Sequence, residues 1–182
     1  MSDDTADLEW LIMRHAKASR DDETLSDFDR PLKDRGRREA PLMARQLAQA
    51  GLLPDLVLSS TSKRTRETTE LFLNTLREVE DHEPEVRYLE DLYLADWTTH
   101  VNTIAAEGGV ARRVLLIAHN PGLENLVTVL TGQACHLPTA AIAHVTLPVA
   151  AWAEFQRGEE VAGDNVVGVG QLEQLWTPKD LR

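Results

Sequence analysis

The sequence predicts an α/β sandwich built on a mostly parallel central sheet, and three observations carry that prediction. Two apolar runs, Leu8 to Met13 and Val114 to Ala118, show little polar alternation, the pattern of central strands buried on both faces. Each run ends in a histidine, in Arg14-His15 and in His119-Asn120-Pro121-Gly122. Segments with helical spacing alternate with such short runs along the chain, as in α/β folds. Ligands of open α/β sheets bind outside the carboxyl ends of the strands. Two strands that bring histidines to the same edge therefore suggest one site.

The first strand is followed by a polar, acidic loop from Ser19 to Asp29, closed by Arg30-Pro31-Leu32. Ala40, Met43, Leu47 and Ala50 are spaced as one helical face that ends near Gly51. Pro41 lies inside this helix, so either the turn Asp34 to Arg38 is separate or the helix kinks. Leu56-Val57-Leu58 is a second strand, and Ser59-Ser60-Thr61-Ser62 offers N-caps for a helix from Lys63 to Val79. Val86 to Leu89 reads as a short third strand and Trp97 to Glu107 as a helix stopped by Gly108-Gly109. A helix from Pro121 to Leu130 follows the Val114 strand, with proline at the favoured first position. Ala141 to Leu147 and Gly170 to Trp176 are further strands, expected to be less buried, while Val149 to Val166 matches no pattern.

The 182 residues suit one domain over the whole length, with residues 1–7 expected to be a flexible N-terminus. A net charge of −11 without a basic tail argues against nucleic-acid binding. No apolar run is long enough for a bilayer span, and Met1-Ser2-Asp3-Asp4 does not open a secretory signal. The single Cys135 excludes an internal disulfide. These features describe a cytoplasmic enzyme-sized domain that touches neither membrane nor nucleic acid. No cofactor motif is present, and a metal site is not expected because no paired His or Cys ligand spacing occurs.

Charge gathers at the predicted strand ends in Arg14, His15, Arg64 and His119, with Arg64 one turn into the second helix. A helix N-terminus favours anions, and arginine forks match phosphate oxygens in pairs. A pocket with this many cations fits a phosphate dianion better than a carboxylate. A neutral imidazole is a competent nucleophile at phosphorus. Neighbouring Arg14 and Arg64 disfavour the imidazolium of His15, and a backbone carbonyl is expected to hold one ring nitrogen. His119 is then placed to stabilise charge developing on the phosphoryl oxygens. Glu90 and Asp91, after the third strand, are the nearest carboxylates for a proton donor.

These residues resemble the histidine phosphatase superfamily, which includes the phosphoglycerate mutases, and within it the small SixA-type phosphohistidine phosphatases. The matching segments are Met13-Arg14-His15-Ala16, Arg30-Pro31-Leu32 with Gly36, Ser59-Ser60 with Arg64-Thr65 and Thr68, and Ala118-His119-Asn120-Pro121-Gly122-Leu123-Glu124. They occur in the family's order from residue 8 to the final strand. The resemblance implies a three-layer, phosphoglycerate mutase-like sandwich. It further implies that His15 is phosphorylated, that Arg14, Arg64 and His119 surround the phosphoryl group, and that Arg30 and Asn120 join the substrate-binding set. Asp91, or Glu90 beside it, lies nearest the family's acidic donor. Ala16 replaces the family's glycine.

No segment is long enough for the cap that larger relatives carry over the pocket, and an open site suits a phosphoryl group on another protein. The expected function is a metal-independent phosphatase acting on phosphohistidine in a protein, in signal transduction, with inorganic phosphate as product. The alternatives are a phosphomonoesterase acting on small metabolites or phosphoester proteins, and a non-catalytic phosphoprotein-binding module. The remaining groups have plainer readings. His82 and His100 are expected at the surface, and His144 is expected to point outward from its strand. The Lys33-Arg38 cluster and the Asp21-Glu23 loop read as solvated, Trp10, Trp97, Trp152 and Trp176 as packing residues, and Cys135 as no nucleophile.

Overall fold

The computed structural model describes residues 7–156 and 166–181. The expectation of a flexible N-terminus therefore falls, apart from Asp7, outside the described residues. The chain runs through β1 (Leu8–Arg14), α1 (Asp34–Gln49), β2 (Leu56–Ser60), α2 (Lys63–Glu80), β3 (Glu85–Leu89), α3 (Trp97–Glu107), β4 (Arg113–Ala118), α4 (Gly122–Thr131), β5 (Ile142–Leu147) and β6 (Gln171–Trp176). Short 3-10 turns occupy Glu90–Leu92 and Trp152–Phe155. The second lies in the stretch whose pattern the sequence left undecided; residues 157–165 of that stretch are outside the described residues.

The strands form one sheet in the order β3-β2-β4-β1-β5-β6. β1, β2, β3 and β4 pair in parallel, whereas β5 pairs antiparallel with both β1 and β6. β1 shows how both faces are covered. Its Trp10 and Ile12 pack with Val101, Leu123 and Trp152 on one side, while Leu11 and Met13 pack with Ala40, Met43, Leu47 and Phe72 on the other. Alternate residues of a strand face opposite ways, so helices on each face give the predicted three layers, with no cap domain among the described residues. Each large apolar side chain buried in this way contributes about 1.5–3 kcal/mol.

One strand differs from the sequence expectation in its surroundings. β5 is almost wholly buried, since it lies between β1 and β6, whereas β6 at the edge is half exposed as expected. α1 runs unbroken through Pro41. The missing N–H and ring clash cost ~3 kcal/mol or more in a helix interior, offset here by the burial of Ala40, Met43, Ala44 and Leu47. α4 begins at Gly122, one residue later than expected, with Pro121 at its cap. Glycine is required at 122 by close approach, because a Cβ there would lie 1.9 Å from the Ala95 carbonyl oxygen. Among the described residues no helix is long and apolar enough to cross a membrane.

Candidate active site

Register brings the site together. β1 and β4 pair in parallel with Arg14 opposite Ala118, so the residues that follow, His15 and His119, leave the sheet side by side. Their ring centroids are 5.2 Å apart. β2 pairs beside β4 with Ser59 opposite Ile117, which delivers Ser60 and the start of α2 to the same edge. Arg64, in the first turn of α2, extends across the gap between the two histidines. The cavity there has a volume of about 220 Å³ and is lined by Arg14, His15, Arg30, Arg64, His119 and Asn120, together with Lys17, Arg20, Asp27, Leu94 and Thr139.

His15 is held in one tautomer. Its Nδ1 lies 2.8 Å from the Ala16 carbonyl oxygen, which can only accept, so Nδ1 carries the proton. Nε2 keeps its lone pair and accepts from Arg64 Nε at 3.3 Å. The loop itself is fixed by the Ala16 N–H, which donates to Thr68 Oγ1 at 3.0 Å. The imidazole pKa is pushed down to about 3, by burial first and then by Arg64, Arg14 and Arg30, against the opposing pull of the Ala16 carbonyl. The arginines were legible in the sequence, but the larger cause, burial, was not.

His119 has the complementary arrangement. Its Nδ1 is 3.2 Å from Arg64 Nη2, which donates, and its Nε2 is 2.8 Å from Ser60 Oγ. Nε2–H therefore points at Ser60, and Nδ1 faces the cavity. Burial, the neighbouring His15 and the Arg64 charge depress its pKa to about 2, with Asp27 acting in the opposite direction. Asn120 donates from Nδ2 to the Leu137 carbonyl at 2.9 Å, while its Oδ1 is buried without a partner. Arg14 Nη1 donates to the same carbonyl at 3.1 Å.

Two functional groups escaped the sequence reading. Asp27, from the acidic loop, accepts Arg64 Nη2 at 3.0 Å and Arg30 Nη2 at 2.6 Å. Tyr93 donates its hydroxyl to the same carboxylate at 2.6 Å, and its ring meets His119 edge-on at 5.4 Å. Partial burial disfavours ionisation of Asp27, but the bonds from Tyr93 and Arg30 and the Arg64 charge outweigh it and hold the carboxyl far below the usual range. The nearest signal was the spacing of Asp27 three residues before Arg30. Arg30 lines the cavity, tied to Asp27 and to the Ser19 carbonyl.

Glu90 and Asp91 do not join this group. They line a separate hollow with Leu89, Thr99, Asn102 and Thr103, because the 3-10 turn at Glu90–Leu92 buries Leu92 and leaves both carboxylates exposed. Three histidines also need correction or placement. His100 is buried rather than at the surface, with both ring nitrogens unpartnered, and burial lowers its pKa to about 4. His144 is buried against Glu9, 2.7 Å from Nε2 to the carboxylate, instead of pointing outward. His82 is half-buried against the Pro54 carbonyl.

The buried neutral histidines make stability depend on pH. His15, His100 and His119 stay unprotonated in the fold, while in the unfolded chain each takes up a proton below about pH 6.5. Their contribution is therefore complete above that pH and is lost as the pH falls toward the folded values. From pH 7.5 to 5.5 the three together remove roughly 4 kcal/mol. Urea midpoints measured over that interval should fall, and a flat profile would contradict the burial of these rings as neutral groups.

The sequence profile of the histidine phosphatase superfamily, branch 1, matches residues 10–107. A chloroplastic protein of Arabidopsis thaliana is 33% identical over 138 residues, covering 71% of this chain and 62% of its own length. The chain thus spans less than two thirds of that relative. A Mycobacterium leprae protein is 36% identical over 124 residues, 66% of this chain and 72% of its own. Among solved structures, the protein histidine phosphatase SixA complexed with tungstate has a TM-score of 0.76 at 28% identity, covering 96% of this chain and 100% of its own. SixA from Agrobacterium tumefaciens has a TM-score of 0.73 at 25% identity, covering 94% and 99%.

Proposed function

The chain belongs to the histidine phosphatase superfamily, and on that premise we propose that it is a metal-independent phosphatase that removes phosphate from phosphohistidine in a protein, through a phosphorylated His15. The lone pair on His15 Nε2 attacks phosphorus as the bond from phosphorus to the substrate ring breaks; that ring, protonated on its other nitrogen, takes the bonding pair and leaves as neutral imidazole, while His15 keeps its Nδ1 proton on the Ala16 carbonyl. Water then attacks the phosphorylated His15, which releases phosphate and restores the neutral ring. Arg14, Arg30 and Arg64 supply the positive charge that the phosphoryl oxygens need. His119 Nδ1, unprotonated without substrate, takes up a proton from solvent as the dianion arrives and then donates it as a hydrogen bond to a phosphoryl oxygen.

One observation carries the choice of substrate class. Among the described residues, Asp27 is the only carboxyl group lining the cavity, and Tyr93, Arg30 and Arg64 hold it ionised. An ionised carboxylate cannot protonate an alkoxide leaving group, on which an ester depends. The P–N bond of phosphohistidine is weak and needs little acid assistance. The SixA proteins with this fold carry phosphohistidine or protein histidine phosphatase in their names, which supports the same reading.

The test is phosphate release from phosphohistidine protein, phospholysine and simple phosphate esters, in the presence of chelator. Phosphohistidine protein should be hydrolysed at least ~10²-fold faster than esters, the scale of lost general acid catalysis, with no loss to the chelator. Preference for esters would transfer the assignment to a phosphomonoesterase. Tight phosphate binding without turnover of any substrate would make the chain a binding module.

A further inference from the structure

A second hollow of about 420 Å³ adjoins the catalytic cavity, and the two share Arg14, Lys17 and Thr139. Its basic lining comes from separate segments: Lys17 after β1, Arg35 at the start of α1, His136 before β5 and Lys179 after β6. Among the described residues no acidic side chain lines it. That is contrary to the average of a chain in which 30 acidic residues outnumber 19 lysines and arginines. Two of these basic groups are already matched, Arg35 by Glu39 and His136 by Glu124, each at 2.8 Å. Lys17 and Lys179 are exposed, and neither ammonium group has an ion pair or hydrogen bond among the described residues. Lys179 is presented by a turn in which Asp180 accepts from Thr177 N and Oγ1 at 3.0 and 2.8 Å. Arg14 adds a guanidinium whose Nε is buried and unpartnered.

We propose that this hollow is an anion subsite that receives acidic side chains flanking the phosphohistidine of the protein substrate, an inference that rests on the phosphohistidine reading above. A single phosphate would be held by cations converging on one point. Here the unmatched ammonium groups stand on different segments around a hollow nearly twice the volume of the catalytic one, a layout suited to several carboxylates spaced along a peptide. Complementary charge at such a rim selects partners and speeds their encounter.

The experiment compares phosphohistidine peptides flanked by Glu with the same peptides flanked by Gln, on the native chain and on Lys179→Glu. At low ionic strength the native chain should show a kcat/KM about fivefold higher for the Glu peptide, expressed in KM, the scale of an exposed charge pair or two. Lys179→Glu should erase or invert that ratio while leaving the Gln peptide unchanged, and high salt should erase it in the native chain. Equal turnover of both peptides by the native chain, or a preference that survives Lys179→Glu, overturns the subsite and leaves the phosphohistidine reading standing. Hydrolysis of neither peptide overturns both.

Discussion

His15→Ala is expected to lower phosphate release by about four orders of magnitude or more, the scale seen when a covalent nucleophile is removed. No other group at the site can take over. His119 has its Nε2 committed to Ser60 and its Nδ1 occupied by the Arg64 guanidinium. A variant lacking only the His15 ring keeps Arg14, Arg30 and Arg64, so it should still bind phosphate, and its fold should be unchanged by circular dichroism. The native chain, quenched during turnover, should carry an acid-labile, base-stable phosphoryl group that the variant lacks. Substantial turnover by the variant would remove His15 from the chemistry and leave direct attack by water.

Arg64→Ala is the second large effect, with an expected loss of roughly 10²–10³ in kcat/KM, typical of one charged donor at a developing anion. The position of this guanidinium explains the size. It is only 2% exposed, donates to His15 Nε2 and His119 Nδ1, and also binds Asp27 through its backbone carbonyl and its carboxylate. Arg64→Lys keeps the charge but loses the fork, because an ammonium is a point charge that cannot span both histidines. It should recover less than half of the lost kcat/KM on a logarithmic scale. A loss below tenfold for Arg64→Ala would show that Arg14 and Arg30 hold the phosphoryl group without it.

Asp27 occupies the Arg64 fork that a phosphoryl group would need. A dianion arriving there must displace the carboxylate from Arg64, while Arg30 and Tyr93 continue to hold it. The loop from Ser19 to Asp29, which in sequence is only a polar, acidic stretch, is thus part of the site. Phe28 and Tyr93 anchor it, with ring centroids 5.0 Å apart, and the Lys63 N–H donates to the Phe28 carbonyl at 3.0 Å.

The layers, and which residues stand at the sheet edge, follow from the sequence alone. Uninterrupted apolar strands ending in Arg14-His15 and His119 are local patterns, and a parallel pairing of two such strands leaves their end residues little freedom except to stand side by side. Cap, stop and proline signals placed α2, α3 and α4 to within a residue or so, because those signals are written in the residues next to each helix end. Which carboxylate enters the cavity depends instead on packing between distant segments. Asp27 arrives by loop packing across the start of α2, and Glu90 and Asp91 are turned away because their 3-10 turn spends its inward face on Leu92. Such packing also buries His100 and His144, since whether a polar residue is covered depends on what a distant segment lays over it. The depressed pKa of His15 follows the same rule: the flanking arginines are visible in the chain, but desolvation exists only once the layers have closed around the ring.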